Sequence, residues 1–240
     1  MIGAVWLYGT SRIQDYPPLS EHEQAAAALD IAMVQGHVPD VQRWKRIYYA
    51  RSLLKYVSVS QRGMQGASPD LIVWPEFAVN FYLDQEPMLL SQLGHFTQRS
   101  NAPLLLGAPR MESVTEDSQT RVRKYNSAYL LSPSGDIVDW YDKIYLIPFA
   151  ETPPFEIPID TKGIFSGYEG APSLFTRGQR STIFPLPTSQ FGVLICYEAI
   201  FPSLARRLVN NGAEFLVNIS NDTWLNDDPS AITQHFAFSA

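Results

Sequence analysis

The chain has 240 residues and a formal charge of −6, with 45% apolar, 12% aromatic and 18% charged residues. That length is enough to bury one substantial core, and the composition excludes a disordered or fibrous chain. The 18 Lys and Arg are scattered, which leaves no electrostatic footprint for nucleic acid, and the single cysteine, Cys196, excludes an internal disulfide.

The apolar run Ile2–Tyr8 is too short for a hydrocarbon core, which needs about 20 residues, and lacks the flanks of a signal peptide. It fits the exit end of a membrane helix cut off upstream. Residues 1–28, with Pro17-Pro18 and an alanine run, read as a connecting segment, and residues 29–240 as one domain. Within that domain Leu29–Val34 predicts a buried strand. Residues 41–60 place Val41, Trp44, Ile47, Tyr48, Leu54 and Val57 at helical spacing. Leu71–Trp74 predicts a second strand ending in Pro75-Glu76, residues 88–100 a helix and Leu104–Ala108 a third strand. Tyr125–Leu131 and Ile137–Tyr141, joined by the turn residues 132–136, predict a hairpin. Residues 152–181, rich in Pro and Gly, read as a long loop of the kind that forms functional lids. Phe191–Cys196 predicts a strand, residues 202–211 a helix with Pro at its first turn, and Glu214–Ile219 a strand. The crossover between the last two strands predicts parallel pairing in an α/β sheet.

Three ionisable residues sit at predicted strand ends: Glu76, Lys143 and Cys196. Ligands of open α/β sheets bind outside the carboxyl ends of strands, so the three predict one shared pocket. A thiol with a pKa of about 8.5 is mostly protonated at neutral pH, so a cysteine nucleophile needs a base or a positive neighbour. Glu76 fits the base, and the Lys143 ammonium fits the cation that stabilises an oxyanion in a water-poor site. Attack on a carbonyl gives an acyl-thioester, which water or an amine resolves while Glu76 moves the protons. No cofactor is required, and His22, His37 and His95 show no ligand-like spacing, so no metal site is expected. Taken singly, each residue has a plainer role: Cys196 as an inert buried thiol, Glu76 as a helix-capping acid, Lys143 as half of a surface pair with Asp142.

Together, Pro75-Glu76, Tyr141-Asp142-Lys143 and Ile195-Cys196-Tyr197-Glu198 resemble, in order, the three signatures of the nitrilase (carbon-nitrogen hydrolase) superfamily. Within it the chain is similar to the apolipoprotein N-acyltransferases, bacterial membrane enzymes that place a third acyl chain on lipoproteins. That similarity rests on Met33-Val34-Gln35-Gly36, Val73-Trp74-Pro75-Glu76, Lys143 running on to Pro148-Phe149-Ala150-Glu151, Phe201-Pro202, and Ser220-Asn221-Asp222-Thr223-Trp224 ahead of Gln234-His235. One departure is Ala150, where the family usually has Gly. The resemblance implies an α-β-β-α four-layer sandwich, with Glu76 as general base, Lys143 as oxyanion-stabilising cation and Cys196 as nucleophile. It implies that Glu151 supports Lys143 or the transition state, and that Tyr197 and Glu198 are essential neighbours of the nucleophile. Trp44 matches a family tryptophan at the substrate entrance, although it equally fits the apolar stripe of its helix. Asn221 and Trp224, after a strand end, fit the pocket rim or a simple turn. An ionised Glu198 beside Cys196 opposes a thiolate, so Lys143 is expected to neutralise it.

The implied activity is acyl transfer from a phospholipid through a Cys196 thioester to the N-terminal amine of a lipoprotein diacylglyceryl cysteine. The implied location is the bacterial inner membrane, with this domain facing the periplasm. Membrane association then falls to segments absent from this chain, and the sandwich is expected to lack its C-terminal strands. Two alternatives stay open: a soluble, cytoplasmic amidase or nitrilase that hydrolyses a carbon-nitrogen bond, and a non-catalytic nitrilase-fold interaction module. Apolar residues exposed on 152–181 favour the lipid enzyme.

Overall fold

A computed structural model of the chain describes residues 28–38, 44–65, 67–116, 119–148, 150–152 and 175–221. The connecting segment before residue 28 and most of the expected lid, 153–174, lie outside the described residues.

Five strands form one mixed sheet in sequence order: β1 Ile31–Met33, β2 Leu71–Val73, β3 Leu104–Glu116, β4 Gln119–Leu131 and β5 Ile137–Asp142. The pairs β1/β2 and β2/β3 are parallel, whereas β3/β4 and β4/β5 are antiparallel. The second sheet holds β6 Ile183–Pro185, β7 Gln190–Ile195 and β8 Phe215–Ile219, with β7/β8 parallel as the crossover predicted. Helices α1 Tyr49–Gly63 and α2 Pro87–Ser100 accompany the first sheet, and α3 Pro202–Asn210 the second.

The layers follow from which residues share a core. Leu53 and Tyr56 of α1 and Leu89, Leu93 and Phe96 of α2 pack with Leu104, Leu106 and Ala108 of β3. Side chains alternate faces along a strand, so Leu105 points away from these helices; it is nevertheless fully buried, which makes the sheet covered on both sides. On the far side β4 lies against β7. Leu204 and Leu208 of α3 close the other end against Leu194 and Leu216. Helices, sheet, sheet and helix make the four layers of an α/β nitrilase-like sandwich. Trp74, fully buried directly after β2, stacks on Tyr56 at 5.1 Å and donates its indole N–H to Ser60 Oγ at 2.9 Å. A ring of this kind removes about 200 Å² from water, roughly 5 kcal/mol before entropy losses. It anchors the end of the strand that delivers Glu76.

Three sequence expectations change. The first strand is confined to Ile31–Met33 and is not buried: Met33 is 84% exposed, because β1 pairs with β2 alone among the described residues and forms the sheet edge. The helix expected over 41–60 starts at Tyr49, after a 3-10 turn at Arg46–Tyr48, so Trp44 lies ahead of it rather than on its apolar stripe. Strands β3 and β4 run 13 residues each, far beyond the apolar stretches that predicted them, because their distal halves are polar and joined chiefly through the backbone ladder.

Candidate active site

The carboxyl ends of β2, β5 and β7 meet in one place. Glu76 follows β2 through Trp74-Pro75, and the next residue, Phe77, turns the chain with φ 48°. A side chain at φ > 0 is sterically costly outside glycine, so such turns persist only where packing enforces them. Enforcement here comes from β3: Gly107 N–H donates to the Pro75 carbonyl at 3.2 Å, and a Cβ at 107 would lie 2.6 Å from Glu76 Cα. Only glycine allows that approach.

Lys143 directly follows β5. Its N–H extends the β4/β5 ladder to the Asn126 carbonyl at 2.9 Å, and its own carbonyl accepts from Gly178 N–H at 2.8 Å. Nζ, fully buried, lies 3.0 and 2.9 Å from Glu151 Oε1 and Oε2 and 3.5 Å from Glu76 Oε1. Burial alone pulls the ammonium towards neutrality, but the carboxyl groups of Glu76 and Glu151 more than offset this and hold it above the ordinary lysine value. Burial, with Glu151 adding to it, raises the Glu76 carboxyl; Lys143, Asn126 and Asn221 pull it back in part.

Cys196 opens a 3-10 turn after β7, Cys196–Ile200, and adopts φ 53°. The left-handed turn presents a thiol that is 2% exposed. Burial first, then the Glu76 charge, pushes that thiol up to about 12, against the opposing pull of Lys143 and of a hydrogen bond with Ser220. At neutral pH it is therefore a thiol, and a nucleophile made from it needs a base at the moment of attack. Glu76 stands near enough for its charge to act on the thiol, and its carboxyl is raised, the direction a base for that step requires.

Glu198 corrects one expectation. Lys143 does not neutralise it. Its carboxylate accepts instead from Tyr141 Oη at 2.8 Å, from the N–H groups of Ile144 and Tyr145 at 2.7 and 3.0 Å, and from Ile195 N–H at 2.8 Å. The last is the reach-back half of a capping box. Burial raises this carboxyl, and those donors lower it again in part. Because the donors flank Lys143 on one side and Cys196 on the other, Glu198 staples the two together. Tyr197 contributes an edge-to-face contact with Phe201 at 5.0 Å, and Phe201 stacks on Tyr145 at 4.4 Å, tying the same two turns.

Of the remaining predicted residues, Trp44 packs edge-on against Phe77 at 5.1 Å, and Phe77 stacks on Phe175 at 5.8 Å, so an aromatic row begins one residue from Glu76. Asn221 does not stand apart at a rim: its N–H donates to Glu76 Oε2 at 3.1 Å and its Nδ2 to the Glu76 carbonyl at 3.0 Å. Trp224, with Asp222 and His235, lies outside the described residues. Two residues went unforeseen, Ser220 and Asn126. Asn126 Nδ2 donates to Glu76 Oε1 at 2.7 Å and to Glu151 Oε1 at 2.9 Å. One signal was present: Asn126-Ser127 is a polar pair inside a strand of β-formers, where asparagine is disfavoured unless something holds it.

A buried thiol, a neighbouring carboxylate and a buried ammonium form a constellation suited to metal-free acyl transfer at a carbonyl. The chain belongs to the carbon-nitrogen hydrolase family, which it matches over residues 30–239. Among curated proteins it is similar to the apolipoprotein N-acyltransferases of Geobacter metallireducens (31% identity over 218 residues, 90% of this chain and 40% of that protein) and Agrobacterium fabrum (32% over 239 residues, 98% and 43%). The enzyme of that name from Brucella suis is 33% identical over 87% of this chain and 38% of its own length. The chain thus spans about two fifths of the length of these relatives. In fold it is similar to a mutant of the amidase from Nesterenkonia sp. AN1, with a TM-score of 0.54 at 16% identity, covering 80% of this chain and 67% of that one; that structure shows the Michael addition of acrylamide at the mutant amidase's active-site cysteine.

Proposed function

We propose that this chain is the catalytic domain of an apolipoprotein N-acyltransferase, working through a Glu76-Lys143-Cys196 triad. The observation that carries the reading is the convergence of Lys143 Nζ on Glu76 and Glu151 beside the Cys196 thiol, in a chain whose curated relatives bear that name. In the first half-reaction Glu76 takes the thiol proton as Cys196 Sγ bonds to the carbonyl carbon of a phospholipid ester, and the oxyanion forms beside the Lys143 ammonium. Collapse breaks the ester C–O bond, and Glu76 returns the proton to the departing lysophospholipid oxygen. In the second, the α-amine of a diacylglyceryl cysteine attacks the thioester. An N–C bond forms, the C–S bond breaks, and the amine proton passes through Glu76 back to sulfur. Glu151 holds the ammonium, while Glu198 and Tyr197 hold the lysine and cysteine turns in register. Trp44, packed on Phe77, takes the entrance to this site, and Asn221 holds the Glu76 base. No described helix is long and apolar enough to cross a membrane. We assign membrane attachment to the part of the longer relatives that this chain does not match, with this domain on the periplasmic face of the inner membrane.

The test is intact-protein mass spectrometry after incubation with a phospholipid in detergent micelles, followed by a peptide bearing an N-terminal diacylglyceryl cysteine. An acyl adduct on Cys196, absent in Cys196→Ala and discharged as an amide on the peptide, is the expected result. An adduct on another residue overturns the triad. Discharge to free fatty acid alone, with the peptide unmodified, selects the hydrolase reading.

A further inference from the structure

We infer that Asn126 is the positioning residue that keeps Glu76 available as a base, by placing one neutral amide between the two buried carboxyl groups so that they do not share a proton. The inference deepens the proposed triad chemistry and rests on it.

Asn126 touches every charged member of the cluster from a single position on β4. Its backbone carbonyl accepts the Lys143 N–H at 2.9 Å. Both hydrogens of Nδ2 are spent on acids, one at 2.7 Å from Glu76 Oε1 and one at 2.9 Å from Glu151 Oε1. The Lys143 ammonium is committed mainly to Glu151, at 2.9 and 3.0 Å, and stands 3.5 Å from Glu76. The shortest hydrogen bond that Glu76 Oε1 receives therefore comes from the amide and not from the lysine.

The orientation of the amide carries the inference further. Asn126 is fully buried, and its Oδ1 has no hydrogen-bond partner among the described residues. Leaving a buried acceptor unmade is costly, and native structures do it rarely. Rotating the amide would not cure this, because Oδ1 would then face two carboxyl groups. The structure forgoes one ordinary bond to keep two donors on the acids, which is the arrangement expected if charge at Glu76 matters more than local satisfaction. Two carboxyl groups around one ammonium would otherwise settle by sharing a proton, with one of the pair raised strongly. The titratable groups facing Glu76 are Lys143 from the end of β5, Glu151 from the segment after it and Cys196 from the end of β7. Asn221 supplies the second neutral donor, from the end of β8.

The experiment uses the whole chain and iodoacetamide, which needs no lipid donor. Cys196 is the chain's single cysteine, so alkylation reports on one thiol. Below the range in which the thiol itself ionises, its rate against pH is expected to follow the fraction of Glu76 ionised, because the buried thiol needs that base. In Asn126→Leu, close in shape but without donors, the acid limb is expected to move up by at least about one pH unit, a tenfold slower reaction on that limb at fixed pH. The plateau between ionisation of Glu76 and ionisation of the thiol itself should stay within about threefold. Asn126→Ser, which retains one donor and a smaller volume, should show a partial shift and supplies the reading should the leucine variant not fold. A lowered plateau with an unmoved limb, or no change in either variant, overturns the inference. Failure of lipid acylation in the wild type, with the alkylation shift intact, would sink the N-acyltransferase reading and leave the role of Asn126 standing.

Discussion

Glu198→Ala tests whether the lysine and cysteine turns are held together by one buried carboxylate. Four donors converge on it, at 2.7 to 3.0 Å. Two of them, Tyr141 Oη and Ile195 N–H, belong to fully buried residues, so no water replaces the lost acceptor there. An unsatisfied buried donor costs roughly 1–3 kcal/mol, so two cost about 4 kcal/mol, while the part-buried N–H groups of Ile144 and Tyr145 can recruit solvent. Glu198→Gln keeps the three bonds made to Oε1 and sets a donor against Ile195 N–H alone, which predicts a loss of about 2 kcal/mol. Against a typical domain stability of about 5–15 kcal/mol, both should be plain in urea unfolding. The alanine change should lower Tm by roughly 8–16 °C for a chain of this size. Cys196 acylation should fall by about two orders of magnitude in the alanine variant, because an ångström of drift between lysine and sulfur is enough to do so. Alanine and glutamine variants of equal stability, or an alanine variant within about 1 kcal/mol of wild type, would refute the staple.

Two other outcomes follow from the same geometry. Gly107→Ala places a methyl 2.6 to 2.7 Å from backbone atoms of Pro75, Glu76 and Phe77, none of which can swing aside. It should destabilise by about 1–3 kcal/mol and slow thioester formation more than it changes donor affinity, read from the acylation rate at saturating donor. Both Glu76 and Glu198 titrate above the ordinary carboxyl value when folded, so the native state binds more protons than the unfolded chain. Their contribution to stability is present in full below the unfolded value, near 4.5, and is lost as pH rises through the folded values. Urea unfolding from pH 4.5 upward should show that decline. Glu76→Gln should make it shallower, and an unchanged slope would remove Glu76 as a raised group.

The order of chemistry-bearing residues was legible in the sequence because it is a local property: a run of β-formers ends, and Glu76, Lys143 or Cys196 follows. Strand type, the hairpin turn at 132–136 and the parallel β7/β8 pair were legible for the same reason, since turn residues and alternation act over a few positions. What the tertiary structure decided are the partners. Asn126 reaches Glu76 across 50 residues, Glu198 reaches Ile144 across 54, and Asn221 reaches Glu76 across 145. No periodicity encodes such pairs. The sequence therefore set Lys143 against Glu198 as the nearest opposite charge in the motifs, whereas the fold gives that carboxylate three N–H groups and a phenol and commits the lysine to Glu151 and Glu76. The edge position of β1 had the same origin: an apolar run reads alike in the middle of a sheet and at its margin, and only the placement of neighbouring strands tells them apart. Composition and pattern determine which segments fold and which side chains can react; the electrostatics of the site depend on distances through space, and those exist only once the sheets have packed.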